Sequence, residues 1–470
     1  MKIAVVRERV GEEPRVAATP ETIAKLIGFG ASVGVEKGAG DASRILDQQY
    51  KDAGASIEAN AAATVKGADI ILAVRRPDAA TLAGAAKGAV VLAIADPYGN
   101  EAALAALAKA GLSVFAMELM PRITRAQVMD VLSSQANLAG YQAVIEASMA
   151  YDRALPMMMT AAGTVRAAKT FVMGAGVAGL QAIATAKRLG AAVSATDVRA
   201  AAGEQVESLG AKFIMTDALK DASGTGGYAR ELTKDEQAAQ AELVSGHIAK
   251  QDIVITTALI PGRPAPKLIT KAMVESMAPG SVIVDLAAER GGNVELTVPG
   301  KVIVHNNVTI IGTLNLQGKI AATASQLYAK NLLAFLETMI DKDAKALKPD
   351  WDDELVKATL LTRDGAVVHP NFAGTAAPAA PAAKAAPKAP AKTGAASKTA
   401  KPAAAKPAAA KTEAKAPAKT GAAKPAAGKA ATAEVPAKKA PAKKPTAKPA
   451  AATAKKPAAK KPAAPKDGGQ

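Results

Sequence analysis

The 470-residue sequence has no cysteine, three histidines, few aromatic residues and no long apolar run. Without thiols, disulfides and thiolate metal sites are excluded. His247, His305 and His369 lie far apart in the sequence, so we predict no metal site. No window offers about twenty apolar residues without a charge, which predicts that no segment spans a membrane. The charged start, MKIAVVRERVGEEPR, differs from a signal peptide, so a soluble cytoplasmic protein is expected.

Composition divides the chain at about residue 372. Residues 373–470 are almost wholly Ala, Lys, Pro, Thr and Gly, and 21 lysines against three acidic residues give this tail a net charge of +18. The whole chain is formally +17, so the segment before the tail is close to neutral. A segment this poor in large apolar side chains cannot offset its conformational entropy, which predicts a disordered basic tail. It is either a solubilising tether or a segment whose lysines bind an anionic membrane or nucleic acid.

Residues 170–197 combine a glycine-rich turn with a downstream acidic residue. Gly174, Gly176 and Gly179 have G-x-G-x-x-G spacing after a short apolar run, and Asp197 ends the next apolar run, 21 residues after the second glycine. Such glycines permit a tight turn, admit a pyrophosphate and let a helix pack close to a sheet. The acid can bind adenosine ribose hydroxyls and repel a 2′-phosphate, so the pattern favours NAD(H) over NADP(H). The alternative is a glycine-rich turn that holds no nucleotide.

Short apolar runs alternate with alanine-rich amphipathic segments before the tail. Strands are predicted at 3–6, 32–35, 70–74, 89–94, 113–116, 193–196, 212–214, 253–256, 281–285 and 302–304, with a further strand starting at 170, and helices at 19–28, 47–53, 101–110 and about 314–340. The alternation indicates parallel sheets covered by helices on both faces. We therefore predict an α/β fold with two Rossmann-like doubly wound parallel-sheet domains and a nucleotide-binding cleft between them. The predicted domains are 1–131 completed by 310–372, an NAD(H)-binding domain at 132–309, and the disordered tail at 373–470.

A glycine-rich stretch, SGTGGY at 223–228, ends in Tyr228 and precedes a charged, helix-prone segment that runs to 246. This composition is typical of a mobile loop that closes over a ligand. An ordinary surface insertion has the same composition, and both interpretations stay open.

Five motifs, in order along residues 1–372, carry a family resemblance. They are RVAATP from Arg15, PRITRAQVMDVLSSQANLAGYQAV from Pro121, GAGVAG from Gly174 with TDVR from Thr196, TALIPG from Thr257, and VDLAAERGG from Val284. Together they resemble the NAD(H)-binding domain I, carried by the alpha subunit, of proton-translocating NAD(P) transhydrogenase, in the family that includes alanine dehydrogenase.

The resemblance implies a Re/Si-specific NAD(P)+ transhydrogenase. In that enzyme this component binds NADH and passes hydride to NADP+ held on a separate component, while a membrane component couples the transfer to proton translocation. The implied partners are the NADP(H)-binding and membrane-spanning subunits. The resemblance further implies a homodimer that sits on the cytoplasmic face of the inner membrane through its partner subunits.

The resemblance also implies which residues form the site. Arg122, Gln127, Asp130 and Ser133 match the loop that orients the nicotinamide, and Tyr228 matches the tyrosine of the mobile loop. The implied cofactor-binding residues are Ile123, Thr124, Gly174, Ala175, Gly176, Val177, Gly179, Asp197, Val198, Arg199, Thr257, Ala258 and Leu259. Hydride transfer between two rings requires mainly orientation, which suits a site without metal or nucleophile. From the residues alone, without the resemblance, the stretch at 122–133 is better explained as a capped helix start.

Two other functions are considered. The alanine dehydrogenase pattern has a substrate-binding lysine where this chain has Arg75, a histidine in the next strand region where residues 93–98 have none, and Asp where this chain has Glu289. Without that histidine and lysine the means to form and reduce an imine are lacking, which disfavours alanine dehydrogenase. The third candidate is a non-catalytic NAD-sensing module whose basic tail binds nucleic acid in a salt-dependent manner.

Overall fold

The computed structural model describes residues 1–9, 11–216, 230, 232–260 and 262–374, and the structural statements that follow concern these residues. The predicted mobile loop with Tyr228 lies outside the described residues. So does the predicted disordered tail from residue 375 onward.

Strands and helices alternate along the described chain. The strands are β1 (Lys2–Val5), β2 (Ser32–Glu36), β3 (Ser56–Glu58), β4 (Ile70–Arg75), β5 (Val90–Ile94), β6 (Ser113–Ala116), β7 (Met158–Thr160), β8 (Gly163–Val165), β9 (Lys169–Met173), β10 (Ala192–Thr196), β11 (Lys212–Phe213), β12 (Ile253–Thr256), β13 (Val282–Asp285), β14 (Val302–His305), β15 (Val308–Ile311), β16 (Ile340–Asp341), β17 (Ala346–Leu347), β18 (Leu360–Arg363) and β19 (Ala366–Val367). The helices are α1 (Pro20–Gly28), α2 (Asp47–Asp52), α3 (Ala61–Val65), α4 (Glu101–Lys109), α5 (Val131–Ala150), α6 (Val177–Arg188), α7 (Ala202–Ser208), α8 (Lys234–Ile248), α9 (Lys271–Glu275), α10 (Ala321–Glu337) and α11 (Glu354–Thr359).

The first sheet has eight strands in the order β19-β18-β6-β5-β4-β1-β2-β3. Strands β1 to β6 pair in parallel, whereas β18 runs antiparallel to β6 and β19 antiparallel to β18. Side chains alternate between two cores, so Ile3 and Val5 join one cluster while Ala4 and Val6 join the other. The sheet is therefore buried on both faces, as the continuous apolar runs predict.

The second sheet has seven strands in the order β11-β10-β9-β12-β13-β15-β14. All neighbours are parallel except β14, which pairs antiparallel with β15. The predicted α/β class with parallel sheets is confirmed, and antiparallel strands occur at one edge of each sheet. In the second sheet, β14 is antiparallel to β15 because a tight turn joins them. Asn306 and Asn307 in this turn both have positive φ (49° and 59°), which is the conformation of a tight hairpin turn. The predicted strand at 302–304 is one arm of this hairpin, and β15 is the other.

Two long helices differ from the sequence prediction. The helix expected at about 314–340 is shorter, because Asn315 has φ 52° and a 3₁₀ turn at Leu316–Ile320 precedes α10. At the other end, Ile340 is buried in β16 instead of continuing the helix. Only the start of helix α5 was considered in the sequence, as the capped-helix alternative at 122–133, and its extent was not predicted. The helix packs against both α6 and α10, so apolar residues are needed on several sides and no single periodic stripe marks it.

The domain boundaries of 1–131 with 310–372, and 132–309, stay a prediction. Strand β15 itself pairs with β13 and β14 in the second sheet. No helix within the described ranges combines the length and apolar content that crossing a membrane requires.

Candidate functional site

The glycine-rich turn joins β9, which lies between β10 and β12 in the second sheet, to α6. Gly174 has φ 101°, a conformation that other residues rarely adopt. A Cβ on Gly179 would lie 1.8 Å from the carbonyl oxygen of Gly174, so only glycine lets α6 begin this close to the turn. A Cβ on Gly176, by contrast, would meet no atom of the described chain within 4 Å. This arrangement leaves open space directly over the second glycine.

The N-terminus of α6 faces this opening. Among the described residues, no side chain caps the helix at Gly176, and Val177 is partly exposed in the first turn. The uncapped N–H groups and the helix dipole make such a terminus a site for phosphate. The turn therefore fits the pyrophosphate of a dinucleotide sterically and electrostatically.

Asp197 follows β10, beside the turn, and is buried. Its Oδ2 accepts hydrogen bonds from Ala175 N–H (2.7 Å) and Arg199 Nη2 (2.9 Å), and its Oδ1 accepts from Arg199 N–H and Nε (both 2.9 Å). Burial alone would raise the pKa of Asp197, but the hydrogen bonds from Arg199 and Ala175 outweigh burial and lower it. The carboxylate is thus ionised and ties the acidic strand end to the glycine turn. Val198, between Asp197 and Arg199, is half-buried.

The loop after β12 supports the turn from the other side. The hydroxyl of Thr257 lies 3.2 Å from the carbonyl oxygens of both Met173 and Gly174, to which it donates. Ala258 is held by the fully buried Asn293, whose Oδ1 accepts from Ala258 N–H (3.0 Å) and whose Nδ2 donates to Ala258 O (2.8 Å). Leu259 remains exposed at the site. Sequence reasoning did not identify Asn293, although it directly follows the paired glycines of the fifth motif.

The predicted nicotinamide loop is a 3₁₀ segment, Thr124–Met129, that leads into α5. Arg122, Thr124 and Gln127 are exposed, while Ile123 packs against the core of the first sheet.

Two residues of the same stretch bond each other. Asp130 caps α5, since its Oδ1 accepts from Ser133 N–H (2.9 Å) and its Oδ2 from Ser133 Oγ (2.6 Å). The capped-helix interpretation therefore describes Asp130 and Ser133. Their hydrogen bonds also fix the residue at which the loop ends and α5 begins.

Helix α5 brings the loop and the glycine turn together. At Gly140 a Cβ would lie 2.0 Å from the carbonyl oxygen of Ala178, in the first turn of α6. The two helices thus cross at a separation that only glycine permits. Gly140 lies inside the second motif, but nothing in the sequence marks it as a contact with α6.

Of the residues predicted for the site, Tyr228 lies outside the described residues.

A buried charged cluster lies between the two sheets. The guanidinium of Arg15, fully buried, donates to both carboxylate oxygens of Glu13 (2.7 Å each) and to Gln135 Oε1 (2.8 Å). Arg75 Nε also donates to Glu13 (3.0 Å). Burial alone would raise the pKa of Glu13, but the hydrogen bonds and charge of Arg15, with the charge of Arg75, lower it to about 2. Burial raises the pKa of the neighbouring Glu8 to about 7, although Glu8 accepts two backbone N–H groups.

The positions that distinguish alanine dehydrogenase are occupied by ion pairs. Arg75 Nη2 lies 3.9 Å from Glu289 Oε1, and Arg290 pairs with Asp96 in the region where that enzyme has histidine. Glu289 also accepts Asn315 N–H (2.8 Å). These side chains bind one another across the two sheets.

Two family descriptions match the chain, one after the other. Residues 4–139 match the family described as Alanine dehydrogenase/PNT, N-terminal domain, and residues 143–370 match Alanine dehydrogenase/PNT, C-terminal domain. The chain is 53% identical over 384 residues to the first part of the NAD(P) transhydrogenase alpha subunit of Rhodospirillum rubrum, covering 80% of this chain and 100% of that protein. A crystal structure of transhydrogenase from Sinorhizobium meliloti is 62% identical with a TM-score of 0.72, covering 78% of this chain and 100% of that chain.

An alanine dehydrogenase is a more distant relative. The enzyme of Halomonas elongata is 28% identical over 382 residues, covering 78% of this chain and 95% of that protein. The chain therefore belongs to the alanine dehydrogenase/transhydrogenase family, within which it is more similar to the transhydrogenase alpha subunits than to that alanine dehydrogenase.

Proposed function

We propose that the chain is the NAD(H)-binding subunit of a proton-translocating transhydrogenase. It holds NADH so that hydride passes to NADP+ on a partner component, and a membrane-spanning subunit couples the transfer to proton translocation. Peripheral attachment to the cytoplasmic face of the inner membrane, through these partners, is included in the proposal. The observation that carries it is the bond from Ala175 N–H to Asp197, which joins the glycine turn to a carboxylate suited to a ribose.

The chain's residues have separate tasks in this function. When bound, the dinucleotide supplies the hydride. The N-terminus of α6 would hold its pyrophosphate over Gly176, and Asp197 its adenosine ribose. Each oxygen of Asp197 already accepts two hydrogen bonds, so a ribose hydroxyl would replace one donor, and the flexible side chain of Arg199 is the one that can move. Gln127 and Ser133 would orient the carboxamide of the nicotinamide.

Asp197→Ala is expected to weaken NADH binding by about 1.5–3 kcal/mol, the contribution of a charge-assisted hydrogen bond. The same change frees the guanidinium of Arg199, which then favours a 2′-phosphate, so NADPH binding should strengthen. Calorimetry with both nucleotides measures the two effects, with Asp152→Ala, an exposed aspartate, as the control. Unchanged NADH affinity would contradict the ribose assignment.

Gln127→Asn is expected to slow hydride transfer about tenfold or more while changing NADH affinity much less, because a shorter amide misplaces the ring rather than releasing it. Single-turnover transfer to NADP+ and the NADH dissociation constant are compared in the same preparation. Equal loss in both would indicate a plain binding role for Gln127.

Reconstitution tests the function itself. The purified chain is mixed with an NADP(H)-binding transhydrogenase component, and reduction of an NAD+ analogue by NADPH is followed. Activity that depends on both proteins supports the proposal, and its absence refutes it. Oxidation of alanine with NAD+ by the chain alone would instead indicate alanine dehydrogenase activity, which the ion pairs Arg75–Glu289 and Arg290–Asp96 disfavour.

A homodimer also belongs to the proposal. The hairpin of β7 and β8 exposes a group of apolar side chains: Met157 (63%), Met158 (42%), Met159 (79%) and Val165 (38%). A second copy that covers them would remove this apolar surface from water. Analytical ultracentrifugation should give a dimer mass for the native chain and a monomer mass for Met159→Glu, and a monomeric native chain would refute the homodimer.

A further inference from the structure

The loop that carries Gln127 is bound on one side by an arginine. The guanidinium of Arg125 donates to both carboxylate oxygens of Asp353 (2.8 Å each) and, through Nε, to Glu354 Oε1 (3.3 Å). Asp353 is the N-cap of α11 and Glu354 is its first residue. The bidentate geometry fixes the direction of the arginine as well as its distance. The loop is therefore attached to a segment more than two hundred residues away in the chain.

An asparagine binds the loop on the other side of Gln127. Asn331, buried in α10, donates through Nδ2 to the carbonyl oxygen of Val128 (2.8 Å). Its Oδ1 accepts from the hydroxyl of Ser134 in the first turn of α5 (2.7 Å). Asn331 thus joins the end of the 3₁₀ segment to the helix that follows it.

Gln127 lies between these two attachments in the sequence and is itself exposed. The 3₁₀ segment has weaker hydrogen-bond geometry than an α-helix and holds its own shape poorly. Ala126 and Met129 anchor its inner face in the core, whereas Arg125 and Asn331 act on the backbone around the exposed amide. The chain on the two sides of Gln127 is therefore held by α11, through Arg125, and by α10, through Asn331.

We propose that Arg125 and Asn331 are positioning residues for hydride transfer, which set the orientation of Gln127 toward the nicotinamide. This inference rests on the proposed function, because it concerns the same site. Neither residue contacts the cofactor in the proposed arrangement. Their loss therefore lowers the rate of transfer while nucleotide binding at α6 is retained.

Three variants test the inference. Arg125→Ala and Asn331→Ala each remove one attachment, and Arg125→Lys keeps the charge without the bidentate bonds. Arg363→Ala is the matched control. Arg363, in β18, is an arginine of similar exposure that pairs with Asp364 and stacks on Trp351. The measurements are single-turnover hydride transfer to NADP+, the NADH dissociation constant, and deuterium uptake of the peptide that covers residues 124–130.

Both alanine variants should slow transfer about tenfold, leave the NADH dissociation constant nearly unchanged, and speed deuterium uptake at 124–130. Arg125→Lys should be intermediate and Arg363→Ala should match the native chain. Native transfer rates in Arg125→Ala, or a parallel loss of NADH affinity, would overturn the positioning role. If Asn331→Ala is too unstable to study, Arg125→Ala alone decides, because its exposed ion pair contributes little to stability.

Failure of the underlying function gives a different pattern. No transfer by the native chain with an active partner component would refute the proposed function. Deuterium uptake then still tests whether Arg125 and Asn331 hold the loop in place. Faster uptake at 124–130 in both alanine variants but not in Arg363→Ala supports this role, and unchanged uptake contradicts it.

Discussion

Gly140→Ala is expected to lower the free energy of unfolding by about 1–3 kcal/mol, the usual effect of inserting one methyl group into a closely packed contact. The added Cβ would lie 2.0 Å from the carbonyl oxygen of Ala178, and the atoms it meets are backbone. Helix α6 must therefore move away from α5. Because the glycine turn lies at the start of α6, NADH binding should weaken as well.

Gly246→Ala is the matched control. Gly246 also lies within a helix, α8, but a Cβ there would meet nothing within 4 Å. The same chemical change should therefore raise the free energy of unfolding by about 0.5–1 kcal/mol, since alanine favours a helix over glycine. Urea unfolding and NADH calorimetry on both variants provide the comparison. A Gly140→Ala protein as stable as the native one would contradict the close crossing of α5 and α6.

Glu13→Ala is expected to lower the free energy of unfolding by about 3–5 kcal/mol, because it leaves a buried positive charge without its carboxylate. Glu13 binds the fully buried guanidinium of Arg15 through two short bonds and also accepts from Arg75. Glu12→Ala, at the exposed neighbouring position, should change stability by less than about 0.5 kcal/mol. Chemical unfolding at pH 7 measures the free energy of unfolding of both variants. Equal values for Glu13→Ala and Glu12→Ala would show that the charged cluster does not stabilise the fold.

The pH dependence gives a second measurement of the same cluster. The pKa of Glu13 is about 2 in the folded chain and about 4.3 in an unfolded one. A lowered pKa contributes stability that is complete above the unfolded value and is lost as the pH falls through the folded one. The stability gap between the native chain and Glu13→Ala should therefore be wide at pH 6 and narrow toward pH 2–3.

Much of the fold could be predicted because its central strands are continuous apolar runs. The predicted strands at 70–74, 113–116 and 253–256 agree with β4, β6 and β12 to within one residue. Strands β18 and β19 were missed, although Asp364 and Gly365 between them form a two-residue turn with positive φ (50° and 84°), which is typical of a hairpin. The pairing of β18 with β6, about 250 residues earlier, is what could not be read from the local sequence. The extent of helix α5 was missed for a related reason: its composition reflects contacts with two other helices.

The candidate site divides in the same way. The glycines and Asp197 could be found because their chemistry depends on spacing along the chain. Asn293, Asn331 and Gly140 could not, because each acts on a backbone group remote in sequence: Ala258, Val128 and Ala178. An asparagine or a helical glycine is common enough that only its tertiary contact reveals its task.

Pairing between β6 and β18 has a consequence for synthesis on the ribosome. Leu360 lies beside Phe115, so the first sheet cannot be completed until almost all of the described chain has been translated. Strands β9 to β15 of the second sheet are all available earlier, since they end at Ile311. Because domains fold as their segments emerge, the second sheet is expected to fold first. The first sheet is expected to fold last, although most of its strands are translated earlier.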